Sequence, residues 1–78
     1  VALAHGWTRV TGKAMPVALH SNVGLMPATM AIFNAWCDRI PMVIIGAQGP
    51  LDAMARRPWV DWIHTATDLG SLVRGYTK

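Results

Sequence analysis

The segment MPVALHSNVGLMP, residues 15–27, changes character at its middle, and this change decides the fold. Its first part, Met15 to His20, is a short apolar run with a proline at its start and no alternation of polar and apolar residues. Such a run is typical of a strand that is buried on both faces of a sheet. Ser21 or Asn22 then offers a helix N-cap, and Pro27 suits an early helical position. The segment therefore predicts a strand that leads directly into a helix.

The rest of the chain repeats the order of helix and strand. We predict a helix over Val1–Val10 that ends with Gly12 in the left-handed conformation, and a long helix over Leu25–Arg39. A second apolar strand is predicted at Met42–Gly46, followed by a loop over Ala47–Pro50. Beyond it we expect only short helical turns, over Leu51–Arg57 and Thr67–Arg74, around the irregular segment Pro58–Thr65. Apolar strands joined by helices predict an α/β fold, with a partial parallel sheet and helices on both faces.

The composition argues for a part of a larger domain. Hydrophobic residues make up 53% of the 78 residues, which is too high for a disordered chain and high for so small a free-standing domain. We therefore interpret residues 1–78 as a domain truncated at both ends. The net charge of +3 is scattered, with only Arg56 and Arg57 adjacent, so nucleic-acid binding is not indicated. The run Met42–Ile45 is too short to span a membrane, and we expect a cytoplasmic protein in which Cys37 is a buried apolar residue.

Two stretches stand where a parallel sheet binds ligands, at the carboxyl ends of its strands. They are His20–Pro27 and Gly46–Pro50. His20 offers an imidazole, a side chain suited to proton transfer, and the free N–H groups at a helix start bind ligand acceptors. From position alone, His20 is either a ligand-binding residue or a hydrogen-bonded structural one. His20 and His64 do not have the spacing of metal ligands, and no metal site is predicted.

Four motifs in order resemble one enzyme family over residues 1–50. GWTRVTGK, residues 6–13, resembles the G-Y-A-R-x-T-G-K segment of thiamine diphosphate-dependent enzymes of the acetolactate synthase, pyruvate oxidase and benzoylformate decarboxylase group. His20–Gly24 resembles that family's turn T-S-G-P-G-A-T-N, and Ala35–Pro41 resembles its helix end A-x-x-D-x-x-P. Met42–Gln48 resembles its strand ending in G-Q. The resemblance implies a fragment of the N-terminal pyrimidine-binding domain.

The turn is most similar to that of benzoylformate decarboxylase, which also has histidine-serine here and N-A-W in the helix that follows, as at Asn34–Trp36. This implies that His20 is catalytic: it would face the reactive carbon of the cofactor and transfer protons, work that suits a histidine at neutral pH. The residues implied to bind the cofactor are His20, Ser21, Gly24 and Met26.

Two further residues are implied on the substrate side, Gln48 and His64. A local alternative stays open for each. Gln48 at a strand end also suits hydrogen bonding to loop backbone, and His64, with Trp59 and Trp62, also suits packing against a neighbouring domain.

The resemblance implies an enzyme that decarboxylates 2-oxo acids or joins them in acetolactate-type carboligation. Its cofactor would be thiamine diphosphate, with Mg²⁺ held by a domain absent from this chain. The partners implied are the diphosphate-binding domain of a second subunit, within a homo-oligomer, and a small 2-oxo acid. The family's catalytic glutamate would precede Val1, so we expect the chain to be inactive by itself. The alternative is a non-enzymatic interaction module that binds a partner through exposed apolar helices.

Overall fold

The computed structural model describes all residues, 1–78, and forms an α/β arrangement around a two-stranded parallel sheet. Its main elements are α1 (Ala2–Thr11), β1 (Met15–Leu19), α2 (Ser21–Cys37) and β2 (Met42–Gly46). After β2 the chain forms only single 3₁₀ turns, at Ala53–Ala55, Asp61–Ile63, Leu69–Leu72 and Arg74–Tyr76. The predicted α/β class with a parallel sheet is confirmed, and each predicted strand lies within a residue of its expected position.

The helix α1 ends as predicted. Gly12 has a φ of 70° and its N–H donates to the Thr8 carbonyl at 2.8 Å. The left-handed conformation at this position favours glycine, because glycine carries no Cβ. Ala4 and Thr8 form the buried side of the helix. The sharp end after Thr11 turns the chain into β1.

The helix α2 begins four residues earlier than predicted, at Ser21. Pro27 is therefore its seventh residue and lies inside the helix rather than near its start. Proline there removes the hydrogen bond to the Val23 carbonyl. The helix nevertheless continues through it to Cys37, because Leu25, Ile32 and Ala35 are buried along its length.

The end of α2 is closed by two nested backbone hydrogen bonds. Arg39 has a φ of 56°, and its N–H donates to the Trp36 carbonyl at 3.0 Å. The N–H of Ile40 donates to the Ala35 carbonyl at 2.8 Å. This pair of bonds around a left-handed residue is a Schellman motif, here formed without glycine. The predicted helix end at Asp38 and Arg39 is confirmed.

The strands β1 and β2 pair in parallel, from Met15 opposite Met42 to Leu19 opposite Gly46. Exposure alternates along both strands, and Val43 and Ile45 are 58% and 57% exposed. The prediction of strands buried on both faces is therefore wrong for this chain. One face packs on the core through Leu19 and Ile44, while the other is open to solvent.

The core is small and centres on Leu25, Ile32 and Leu69. Ile32 and Ala35 of α2 are buried, but several other apolar residues of this helix are exposed: Met26, Met30, Phe33, Trp36 and Cys37. Cys37 is thus not the buried residue that we predicted. The helix has apolar residues on more sides than this chain covers.

An ion pair connects the two α-helices. The Asp38 carboxylate accepts a hydrogen bond from the Arg9 guanidinium at 2.9 Å and lies 3.0 Å from Nε2 of His5. Both partners of Asp38 come from α1. This pair ties α1 to the C-terminal end of α2.

Candidate functional site

The carboxyl ends of β1 and β2 lie side by side because Leu19 pairs with Gly46. His20 follows β1 directly, and the loop Ala47–Pro50 follows β2. This edge of a parallel sheet is where ligands bind in α/β proteins. The two stretches that the sequence singled out therefore meet at one edge of the sheet.

His20 is the N-cap residue of α2, with extended backbone angles and an exposed side chain. Its carbonyl accepts the first helical hydrogen bond, from the Gly24 N–H at 2.7 Å. The N–H groups of Asn22 and Val23 precede that bond and have no acceptor within the helix. An exposed imidazole and free N–H donors thus lie together at the helix start.

Ser21 and Asn22 do not act as the N-cap that was predicted. Ser21 is the first helical residue, is buried, and has a φ of 46°, which is unusual for a residue with a side chain. Its hydroxyl donates to Oδ1 of Asn22 at 3.2 Å. The early start of α2 moves the cap position to His20, whose side chain makes no capping hydrogen bond.

Gly24 brings the first turn of α2 against the end of β1. A Cβ atom at this position would lie 3.1 Å from the Leu19 carbonyl carbon, so a side chain is tightly opposed here. Met26, two residues further, has a side chain that is 51% exposed. The contacts of Gly24 and Met26 with a cofactor stay predictions, but the structure adds a packing reason for the glycine.

His64 lies against His20, although the two are far apart in the sequence. The centroids of their imidazole rings are 4.9 Å apart, with the ring planes tilted by 59°. The Nδ1–H of His64 donates to the Val60 carbonyl at 2.6 Å, which leaves Nε2 as the unprotonated nitrogen of the neutral ring. The sequence named both histidines as site candidates but did not indicate that they touch.

The loop after β2 is joined to the His64 segment. The Gly49 N–H donates to the His64 carbonyl at 2.9 Å. A Cβ atom at Gly49 would overlap Oγ1 of Thr65, so only glycine fits this approach. Gln48 precedes this contact, and its exposed side chain makes no hydrogen bond within the chain.

Asp61 is a buried carboxylate that the sequence analysis missed. It accepts hydrogen bonds from the Arg57 backbone N–H at 2.6 Å and from the Arg57 guanidinium at 3.2 and 3.3 Å. The Arg57 side-chain hydrogen bond, and then its backbone N–H, hold the pKa of Asp61 below its usual range, with burial opposing them. The same bond raises the pKa of Arg57. The only sequence feature that pointed to this contact was the spacing of four residues between Arg57 and Asp61, and charged pairs with that spacing are common on protein surfaces.

A groove of about 1110 Å³ lies apart from the two histidines. It runs between α2, β2 and the C-terminal turns, and apolar residues such as Ile32, Ile44, Leu69 and Tyr76 line it. Gln48 reaches its rim, whereas His20, Ser21, Gly24, Met26 and His64 do not line it. The structure therefore brings together His20, Ser21, Gly24 and His64, and places Gln48 on the neighbouring groove.

Residues 1–70 match a protein-family model described as "Thiamine pyrophosphate enzyme, N-terminal TPP binding domain". The chain belongs to this family. Thiamine pyrophosphate is another name for thiamine diphosphate, so the expected membership of the thiamine diphosphate-dependent enzymes is confirmed. No solved structure matches the chain.

The residues at the α2 start fit the binding and orientation of the cofactor's aminopyrimidine in this thiamine pyrophosphate enzyme domain. They combine the His20 imidazole, free N–H donors, and the exposed apolar side chains of Val23 and Met26. None of them is an acid. All four acidic residues of the chain are aspartates, and three of these, Asp38, Asp61 and Asp68, are paired with arginines.

Two further observations concern the domain as a whole. No three or more His, Cys, Asp or Glu side chains come together as metal ligands would. Neither α-helix has the length and apolar character that crossing a membrane requires.

Proposed function

We propose that this domain forms the pyrimidine-side wall of a thiamine diphosphate site in an enzyme that acts on 2-oxo acids. The observation that carries the proposal is the exposed imidazole of His20, placed where the carboxyl end of β1 meets the first turn of α2. The family match to a thiamine pyrophosphate enzyme supports the same placement. When bound, the cofactor supplies the stabilisation of carbanions, and the protein supplies orientation and proton transfer.

His20 is the proposed acid–base residue. Its side chain makes no hydrogen bond within the chain, so both ring nitrogens are available to a bound molecule. The imidazole of histidine is a side chain that can both donate and accept a proton in catalysis. A histidine at this position also favours decarboxylation over acetolactate-type carboligation as the reaction, by its resemblance to the benzoylformate decarboxylase turn.

The first turn of α2 is proposed to hold the pyrimidine ring. The free N–H groups of Asn22 and Val23 donate toward ligand acceptors, and the buried hydroxyl of Ser21 orients the Asn22 amide from within. Met26 and Val23 supply apolar contact for the flat ring. Gly24 keeps this turn close to Leu19 and so sets its distance from the end of the sheet.

The diphosphate group and Mg²⁺ are proposed to bind a different domain, contributed by a second subunit of a homo-oligomer. Exposed apolar side chains on both the sheet and α2 support a covering partner, since Val43, Ile45, Met30 and Trp36 are all more than half exposed in this chain. The small 2-oxo acid would then bind between the two domains, at the sheet edge that carries His20.

The test is the His20→Ala variant of the intact enzyme, assayed with thiamine diphosphate, Mg²⁺ and a series of 2-oxo acids. We expect turnover to fall by about 100-fold or more, the usual contribution of an acid–base residue. His5→Ala is the matched control, because His5 is bound to Asp38 at the other end of α2. Turnover of His20→Ala within a few-fold of the parent would show that His20 is structural and would overturn the assignment.

A further inference from the structure

The segment Arg57–His64 contains a chain of contacts that ends on His20. It begins at Asp61, whose side chain is 7% exposed and accepts three hydrogen bonds from Arg57. One of these comes from the Arg57 backbone N–H, so the carboxylate binds the loop backbone as well as the guanidinium. We call this group, Arg57 with Asp61, the loop clamp.

The loop clamp holds His64 through the backbone around it. The His64 N–H donates to the Asp61 carbonyl at 3.1 Å, and the His64 carbonyl accepts from the Gly49 N–H at 2.9 Å. The ring itself is fixed by the bond from Nδ1–H to the Val60 carbonyl. His64 is therefore held at its backbone on both sides and also at its ring.

The side chain of His20, in contrast, has no hydrogen-bond partner in the chain and is exposed. Its ring contacts the ring of His64, at a centroid distance of 4.9 Å. Contact with the fixed ring of His64 limits the orientations that the ring of His20 can adopt. An acid–base residue is efficient only when its orientation toward the reacting group is held.

We propose that His64 is a positioning residue for His20, acting through contact between the two rings, and that the loop clamp sets the position of His64. This inference rests on the proposed role of His20 as the acid–base residue. In this assignment His64 acts through the contact of its aromatic ring with His20, and its nitrogen Nε2 takes no part in proton transfer. The loop that carries Trp59 and Trp62 thereby becomes part of the catalytic edge without itself transferring a proton.

Two substitutions in the intact enzyme separate ring from nitrogen. His64→Phe keeps an aromatic ring against His20, whereas His64→Ala removes it. We expect His64→Phe to keep kcat within a few-fold of the parent, and His64→Ala to lower kcat by about tenfold or more with little change in KM. A defect in His64→Phe as large as that in His64→Ala would overturn the proposal, and so would a parental kcat in His64→Ala.

A second readout does not depend on catalysis. Diethyl pyrocarbonate modifies accessible imidazoles, and mass spectrometry gives the rate at each histidine. We expect His20 to react several-fold faster in His64→Ala and in Asp61→Asn than in the parent, and at the parental rate in His64→Phe. His5 is an internal reference whose rate should not change, and Asp68→Asn is a control for loss of an aspartate that pairs with an arginine at the surface. An unchanged His20 rate in His64→Ala overturns the ring contact.

The two readouts also distinguish this inference from the proposed function. If His20→Ala keeps full turnover, the proposed function fails, while the modification rates still report whether His64 positions the His20 ring. If His20→Ala abolishes turnover and His64→Ala does not affect it, the proposed function stands and the positioning role is wrong.

Discussion

Gly24 lies directly against Leu19: a Cβ atom at Gly24 would stand 3.1 Å from the Leu19 carbonyl carbon and 3.4 Å from its Cα. Leu19 is the last residue of β1, and His20 follows it. The distance between the strand end and the first turn of α2 is therefore set by backbone against backbone. Because β1 is hydrogen-bonded along its length to β2, Leu19 cannot move aside without disturbing the sheet.

Gly24→Ala should destabilise the protein. Alanine gains about 1 kcal/mol over glycine in helix propensity, but the new methyl group meets strand backbone, and overpacking typically costs about 1–3 kcal/mol. We expect a net loss of about 1 kcal/mol in the free energy of unfolding, measured by urea denaturation, and weaker binding of thiamine diphosphate. Unchanged stability with parental cofactor affinity would contradict this packing role.

The control is Gly6→Ala in α1. Apart from the neighbouring residues and backbone of α1 itself, no atom lies within 4 Å of a Cβ at Gly6, so only the propensity gain applies. We expect the free energy of unfolding to rise by up to about 1 kcal/mol. The opposite signs at Gly6 and Gly24 test whether the Leu19 contact, rather than the glycine itself, decides the outcome.

Asp38→Asn should weaken the connection between α1 and α2. It removes the charge that pairs with Arg9 and faces His5. Because Arg9 and Asp38 are both substantially exposed, we expect a loss of only about 0.5–1 kcal/mol. A double-mutant cycle with Arg9→Ala should give a coupling energy that shrinks in about 1 M salt, where charges are screened. A coupling that is independent of salt would argue against an ionic contact.

The loop clamp should make the protein sensitive to acid. The pKa of Asp61 is lower in the folded protein than in the unfolded chain, where an aspartate has a value of about 3.9. Its stabilising contribution is therefore complete above that value and is lost as pH falls through the lower folded pKa. We expect the thermal midpoint of the parent to drop more steeply below about pH 4 than that of Asp61→Asn.

Arg57→Gln checks the cause of this acid sensitivity. It removes the guanidinium that contributes the largest part of the lowered pKa of Asp61, while the backbone N–H bond stays. We expect its pH profile to fall between those of the parent and Asp61→Asn. A profile identical to the parent's would mean that the guanidinium has no part in the effect.

Pro27→Ala should stabilise α2. Proline in a helix interior costs about 3 kcal/mol relative to alanine, mainly through its missing N–H and its clash with the preceding turn. The side chain of Pro27 is exposed in this chain, so its loss leaves no cavity here. We expect the free energy of unfolding to rise by about 1–3 kcal/mol, with a higher midpoint by circular dichroism. A lower midpoint would show that the ring packs against something in the intact enzyme.

The elements that local rules determine were predictable. Gly12 and Arg39 end their helices as expected, and the apolar runs at β1 and β2 are strands. The start of α2 was predicted less accurately. It lies at Ser21 because tertiary burial of the helix's apolar residues outweighs Pro27, which pointed to a later start. The side of each strand that faces solvent was not predictable, because it depends on what lies over the sheet.

The candidate site was predicted in its members but not in its arrangement. His20 follows from the strand end and from the family motifs. Its contact with His64 depends on an irregular loop in which Trp59 has a φ of 75° and Gly49 packs under Thr65. Such a loop is determined by contacts between distant residues, which periodicity does not report. Asp61 was missed for the same reason, since its importance comes from burial.

The open face of the sheet has a consequence for how the protein is made. Val43 and Ile45 stand on a bare apolar surface, and both outer edges of the two-stranded sheet carry unpaired N–H and C=O groups. A newly synthesised chain presents this surface as soon as β2 has left the ribosome, and such edges readily pair with other chains. We therefore expect the amount of enzyme that a cell accumulates to depend on how quickly this face is covered. We accordingly expect substitutions at Val43 and Ile45 to change the yield of folded protein rather than its catalytic rate.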